Sequence, residues 1–303
     1  MKPEINPNIS IIGAAMDLGG CIPGAALGPL AVRYAKIEDR LLNIGYDVKY
    51  EGDIVANRSK IEENNGEKLK CLDEIARVNG QLCEKVSEVM KKGRFPLIIG
   101  GDHSIAIGTI AGVLQHKKNL GVIWFDAHGD INTEETSPTG NIHGMPVAVS
   151  LGYGHEKLTS IGGKDAKLNP KNIVYVGCRD LDKGEREVLK RLGIAVFTMH
   201  EIDLFGLPDV IDKAIKIAST DTDGIHVSFD VDCMDPLYIP GTGTTVLGGL
   251  TYRESNLALE IIAKSEKLVS AEFVEINPLV DNNNVTAKTA VTLIGSLFGE
   301  WLI

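Results

Sequence analysis

The chain has 303 residues, 44% of them hydrophobic, and its 41 acidic against 31 basic side chains leave a formal net charge of -10. That is enough apolar material for a large buried core, while the acidic balance argues against nucleic acid or an anionic membrane as partner and favours a small cationic or zwitterionic molecule. No apolar run approaches the roughly 20 residues that span a bilayer, and Met1-Lys-Pro-Glu-Ile5 lacks a basic-then-apolar signal pattern, so a cytoplasmic protein is expected.

In chain order, a Val/Ile-rich run predicts a strand over 9–15, followed by a helix over 66–92 and a strand over 95–99. A helix over 104–115 and strands over 122–125 and 173–176 come next, then a helix over 183–191 and a strand over 195–198. The remainder reads as helix 207–218, strand 225–229, helix 252–265, strand 268–276 and helix 286–298. This alternation predicts an α/β fold: a doubly wound, mostly parallel central sheet with helices on both faces. No linker, composition break or repeat divides the chain, so a single domain spanning 1–303 is expected.

In such sheets ligands bind beyond the carboxyl ends of the strands, and polar motifs follow four of them. Gly100-Gly101-Asp102-His103 follows the strand over 95–99, and Asp126-Ala-His128-Gly-Asp130 closes the strand over 122–125. Asp230-Val-Asp232 ends the strand over 225–229, and Glu275-Ile-Asn-Pro278 ends the last strand. Alternate residues of an extended strand end point the same way, so each Asp-rich segment projects its acids into one place. Crowded carboxylates raise one another's pKa and cost several kcal/mol unless protons or cations neutralise them. A single strand-end Asp is commonly a cap or turn former, but capping does not explain alternating acids on two strands with a histidine on a third. His103, Asp126, His128, Asp130, Asp230 and Asp232 are therefore the candidate metal ligands. Four carboxylates, two imidazoles and no thiolate suit Mn2+ better than structural Zn2+, and six ligands suit two ions with shared carboxylates better than one.

Other features carry less. His116, His155, His200 and His226 lack neighbouring ligand types and are read as structural or exposed. His143, in the glycine-flanked loop Thr139-Gly-Asn-Ile-His143-Gly144, could instead reach a metal-bound water. Gly100-Gly101 lacks the Gly-x-x-x-x-Gly-Lys-Ser/Thr pattern of a phosphate loop, and Gly241-Thr-Gly-Thr-Thr245 is read as lining the same cleft as Asp232. Cys21, Cys71, Cys83, Cys178 and Cys233 form no Cys-x-x-Cys pair and fit inert thiols in a reducing compartment.

Taken together, the motifs resemble the ureohydrolase family, and within it the bacterial arginases. The matching stretches are Gly100-Gly-Asp-His-Ser-Ile105, Trp124-Phe-Asp-Ala-His-Gly-Asp-Ile-Asn132, Gly140-Asn-Ile-His-Gly-Met-Pro146, Ser228-Phe-Asp-Val-Asp232, Gly248-Gly-Leu-Thr-Tyr-Arg-Glu254 and Glu275-Ile-Asn-Pro278, covering essentially the entire chain. The resemblance implies an arginase-like domain with two Mn2+ ions per subunit. Asp126 and Asp230 would bridge the ions, with His103 and Asp130 completing one shell and His128 and Asp232 the other. It further implies hydrolysis of L-arginine to L-ornithine and urea by a metal-bridging hydroxide, with Asp130 carrying a proton to the leaving amine and His143 exchanging protons with solvent. Glu275 would pair with the guanidinium, Thr244 would lie near it, and Asn132, Thr139 and Asn141 would read the α-carboxylate. Asp182, with Glu185 nearby, would meet the α-ammonium. A homotrimer or homohexamer is implied as well.

Departures from the family pattern are local. No basic residue occupies the 17–24 loop, where an Arg is common, Thr139 stands in place of a usual Ser, and Cys233 in place of a common Gly. The alternative functions are an agmatinase or another guanidino-substrate ureohydrolase, disfavoured because Asn132, Thr139 and Asn141 would be left without a carboxylate to pair, and a non-catalytic metal-binding scaffold.

Overall fold

A computed structural model of the chain describes residue 3 and residues 5–60 and 68–301. Eight strands, β1 (Asn8–Ala15), β2 (Asp47–Val55), β3 (Phe95–Gly100), β4 (Leu120–Phe125), β5 (Ile173–Cys178), β6 (Ala195–Thr198), β7 (Gly224–Asp230) and β8 (Leu268–Val274), form one sheet in the order β2-β1-β3-β8-β7-β4-β5-β6. Every pairing is parallel, which refines the expected mostly parallel sheet to a fully parallel one.

The helices are α1 (Gly28–Tyr34), α2 (Ile37–Asn43), α3 (Leu72–Lys91), α4 (Ala106–Leu114), α5 (Pro146–Ser150), α6 (Glu156–Thr159), α7 (Lys183–Leu192), α8 (Met199–Phe205), α9 (Leu207–Ser219), α10 (Tyr252–Lys264) and α11 (Val285–Leu297). Period-two alternation divides the sheet into two apolar faces. Along β4, Ile123 and Phe125 join the core formed with α1, α2 and α8 to α11, whereas Val122 and Trp124 join the core formed with α3 to α7. Strands β3, β4, β5 and β7 are buried along their whole length, as expected for a parallel sheet covered on both faces.

Three expectations need correction. Strand β2 was not foreseen: Asp47-Val-Lys-Tyr-Glu-Gly-Asp-Ile-Val55 is mostly half-exposed at the sheet edge, where charge is tolerated and blunts edge-to-edge pairing. The helix expected over 66–92 begins at Leu72, and residues 66 and 67 lie outside the described part. The last strand stops at Val274 because Glu275 takes a left-handed conformation, φ 61°. Helices α1, α2 and α8, each of seven residues, are too short for a strong periodic signal.

The chain order places the site. After β3 the chain moves out through β4, β5 and β6, then returns to insert β7 and β8 between β3 and β4. The four motif-bearing strands are therefore adjacent, as β3-β8-β7-β4, although their motifs lie up to about 170 residues apart, as in the His103 to Glu275 contact.

Candidate metal centre

His103 leaves β3 through Gly100-Gly101, and this turn accepts little but glycine at its second position. A Cβ on Gly101 would sit 1.7 Å from the Met16 carbonyl oxygen, so the loop can lie on the end of β1 only without a side chain there. Asp102 then caps the short helix His103–Ile105 by accepting from the Ser104 amide, and it also accepts from the Gly19 amide at 2.8 Å. His103 stacks on Trp124, with ring centroids 4.2 Å apart and planes 8° from parallel.

Around this imidazole the acids converge. His103 Nδ1 lies 3.1 Å from Asp126 Oδ2, 3.0 Å from Asp130 Oδ2 and 3.0 Å from Asp230 Oδ2. None of these oxygens is aligned to hydrogen-bond it, and Nδ1 remains a buried, unpartnered nitrogen. An atom encircled by three carboxylate oxygens without a directed hydrogen bond is what a cation between them accommodates. A second cluster comprises Asp126, His128 and Asp232, with His128 Nδ1 3.4 Å from Asp126 Oδ1 and 3.2 Å from Asp232 Oδ2. In each of the triads His103/Asp126/Asp230 and Asp126/His128/Asp232, donor atoms lie within 4.8 Å of one another. Asp126 belongs to both, as a bridging ligand must. The hard oxygen and imidazole donors fit Mn2+.

Electrostatics agree with the crowding. Burial raises the Asp130 and Asp230 pKa values, aided by neighbouring carboxylates, with Asp130 reaching about 6. Burial and Asp126 likewise raise Asp232. Burial opposes charge on His103 and His128, but the surrounding carboxylates outweigh it and raise both. Asp130 adopts φ 49°, and both it and Glu275 occupy the sparsely populated left-handed region at the site where strain is commonly held for function.

Beyond the two clusters opens a cleft of about 220 Å³. Its lining includes Asp130, Asn132, Thr139, Asn141, His143, Asp182, Glu185, Thr244 and Glu275, together with Asp180, which the sequence reading did not single out. Among the described residues, no Lys or Arg lines it, so the cleft favours a cation. Glu275 Oε1 accepts from the His103 amide at 2.9 Å and lies 3.3 Å from His143 Nδ1. Burial alone would lower the His143 pKa, but Glu275 more than offsets it and lifts it to about 9. Asn132 Nδ2 donates to Asp182 Oδ2 at 3.1 Å, and Asn132 Oδ1 accepts from Thr136 at 2.9 Å. Glu185 caps α7, accepting from the Asp182 amide at 2.9 Å, and burial raises its pKa to about 7.

Lys70 was also missed: its Nζ donates to Asn141 Oδ1 at 2.8 Å. A basic residue 71 positions from its partner carries no local signal. The 17–24 loop, which lacks its own basic residue, is ion-paired through Asp17 to Arg58 and holds the His143 amide through the Gly19 carbonyl at 3.2 Å. Cys233 lies in the short helix Val231–Cys233 and is absent from the positive-φ residues, so no glycine is needed there. Among the other histidines, His116 pairs with Ser87 at 2.9 Å and His155 caps α6. His226 is buried in the sheet, in line with a structural reading, but lies 3.4 Å from Glu272, a ligand-type residue that its local sequence does not reveal.

Comparisons with known proteins point to one family. The Arginase family model covers residues 7–299. An arginase of Brevibacillus brevis is 53% identical over 99% of this chain and 100% of its own. The solved arginase of Bacillus caldovelox superposes with a TM-score of 0.94 at 51% identity, covering 100% of both chains. That of Bacillus cereus superposes at 0.93 with 52% identity, covering 98% of this chain and 99% of its own. With the family model spanning nearly the whole sequence and the paired acid clusters at adjacent strand ends, the chain belongs to the arginase family.

Proposed function

We infer that the protein is a dinuclear manganese arginase that hydrolyses L-arginine to L-ornithine and urea. The observation that carries this reading is the pair of carboxylate/imidazole clusters sharing Asp126 at the floor of an acidic cleft. His103, Asp126, Asp130 and Asp230 would hold one ion, and Asp126, His128, Asp230 and Asp232 the other. When bound, the ions neutralise the clustered carboxylates and supply a hydroxide-strength nucleophile from water near neutral pH.

The protein's side chains do the remaining work. Glu275 uses Oε1 to hold the His103 amide, leaving Oε2, 4.0 Å from where a Gly243 side chain would begin, for the substrate guanidinium. Thr244 lines the same cleft. Asp182 and Glu185, also in its lining, favour the α-ammonium. Asp130 takes the proton released by the nucleophile and gives it to the departing Nε as the C–N bond breaks. The side chain of His143, 24% exposed, exchanges protons between cleft and solvent. His143→Ala is expected to lower kcat by about 10- to 100-fold, within the range of general acid-base contributions, with manganese content unchanged; loss of the metal instead would reassign His143 to holding the centre.

The α-carboxylate is read by neutral donors. Lysine is donor-only, so Lys70 can pair only with the oxygen of the Asn141 amide, which turns the Nδ2 donor end away from it. Asn141 lines the cleft with Asn132 and Thr139, and its backbone amide donates to Thr139 Oγ1 at 3.2 Å. Lys70→Met should therefore raise KM for L-arginine several-fold at nearly constant kcat, since it removes binding shared by ground and transition states; an unchanged KM would remove Lys70 from substrate reading.

Urea release from L-arginine and from agmatine by the Mn2+-loaded protein tests the function. Release from arginine alone supports the reading, release from agmatine moves it to the neighbouring activity, and release from neither favours another guanidino substrate or a non-catalytic scaffold. We further propose a single cytoplasmic domain assembled as a homotrimer or homohexamer, measurable by light scattering. No helix of the described residues is long and apolar enough to cross a membrane.

A further inference from the structure

Beneath the metal centre, the sheet carries a line of buried polar groups that the proposed mechanism does not use. His103 Nε2 lies 2.8 Å from Ser228 Oγ, which donates to Glu272 Oε1 at 2.8 Å. His226 Nε2 lies 3.4 Å from the same carboxylate, while His226 Nδ1 meets Ser270 Oγ at 2.9 Å. Ser228 is registered with Glu272, and His226 with Ser270, across β7 and β8. All four side chains are 0% exposed, and their neighbours along β7 and β8 include the fully buried Val227, Phe229, Ala271 and Phe273. A carboxylate in such a place is destabilising unless its partners compensate, so an apolar side chain would be the more stable occupant.

We propose that Ser228 and Glu272 are positioning residues that dictate which nitrogen of His103 carries its proton, and thereby keep Nδ1 open to the metal. The polarity of the chain of hydrogen bonds supports this. An ionised carboxylate only accepts, so the Ser228 proton is committed to Glu272. The Ser228 oxygen must then accept from His103 Nε2–H, which leaves the lone pair on Nδ1, the nitrogen ringed by Asp126, Asp130 and Asp230. Burial opposes ionisation of Glu272, but His226 holds its pKa below the ordinary value. Metal-bound histidines are commonly oriented by a carboxylate on the second ring nitrogen; here a serine hydroxyl is interposed between them.

Glu272→Gln tests the assignment because it preserves shape while allowing the polarity to reverse. The new amide can donate to Ser228, whose proton can then turn to His103 Nε2 and favour the tautomer protonated at Nδ1. The inference rests on the two-ion reading above, so manganese stoichiometry of the unaltered chain is measured first, by equilibrium dialysis; fewer than two ions would overturn that reading and this assignment with it. Given two ions, Glu272→Gln should weaken one of them by about 10- to 100-fold and leave the other unchanged. At free manganese just saturating the unaltered chain, it should bind one ion and show the paramagnetic resonance spectrum of an isolated rather than a coupled ion. Glu272→Asp, which keeps an acceptor, should retain both. Two ions at unaltered affinity in Glu272→Gln, or equal weakening of both, would overturn the proposal, as equal weakening is what general damage to the fold produces. Ser228→Ala, which deletes a single oxygen, carries the same criterion should Glu272→Gln not fold.

Discussion

Asp130→Asn should lower kcat for L-arginine by about a thousandfold or more, combining loss of a proton carrier, worth about 10²- to 10⁴-fold, with loss of an anionic ligand. The substitution is unusually clean for a buried site. Asp130 sits at φ 49°, and asparagine tolerates the left-handed region almost as readily as aspartate, so the backbone need not move. Asparagine retains an oxygen toward His103 Nδ1 but neither charge nor the capacity to hold a proton at that oxygen. The same change removes a carboxylate whose pKa burial and Asp126 raise to about 6. The metal-free variant should consequently melt above the metal-free parent at pH 8, by a few degrees, because one repelling anion is gone. Activity would thus fall while apoprotein stability rises. Near-normal kcat would remove Asp130 from proton transfer, and an unchanged or lower melting point of the metal-free variant would refute the repulsion argument.

Removing the metal should abolish turnover and lower the melting temperature, increasingly so as pH rises. Two sites each filled at about 100 times their Kd stabilise the fold by roughly 5 kcal/mol, which corresponds to about 10 °C for a chain of this size. The pH dependence follows from the direction of each shift. Asp130, raised above the ordinary carboxylate range to about 6, and Asp230 and Asp232, also raised, bind more protons in the folded apoprotein than in the unfolded chain, so their contribution declines as pH rises through and beyond this range. His103 and His128 are raised too; the stability they add is fully present below about pH 6.5 and is lost as pH climbs through their folded values. Asp126 is shifted downward and is therefore ionised in both states above about pH 5, adding no opposing slope between pH 5.5 and pH 8. Ligand deprotonation meanwhile strengthens metal binding at high pH. Calorimetry with and without chelator at pH 5.5 and pH 8 should show the larger gap at pH 8; an equal or smaller gap would contradict the assignment of these residues to the centre.

Much of the site was legible in the sequence because its grouping is local. Asp126, His128 and Asp130 need only the alternation at the end of one strand to come together, and Asp230 and Asp232 likewise. The order of apolar and amphipathic segments was similarly enough for a parallel α/β sheet. What escaped were elements with weak local signals and partners distant in the chain. Edge strand β2 carries charge on half-exposed positions, so its composition resembles a loop. Helices α1 and α2 have about two turns each and depend on packing against the sheet and α11 rather than on their own periodicity. Lys70 declares its role only through contact with Asn141, and Glu272 reads as an ordinary acid until β7 and β8 are placed side by side.

The chemistry each strand end can offer follows from local residue order alone: oxygen and imidazole donors, in alternation, without thiolates. It is the packing of the whole chain that inserts β8 and β7 between β3 and β4, setting four strand ends side by side at the roughly 4.8 Å spacing of a sheet. That order depends on which long crossover buries its apolar face against which side of the sheet, a global property of packing that no single segment encodes. The same packing brings Ser228 and Glu272 beneath His103 and turns the Asn141 amide, because hydrogen-bond polarity is settled by which groups meet, not by where they stand in the chain.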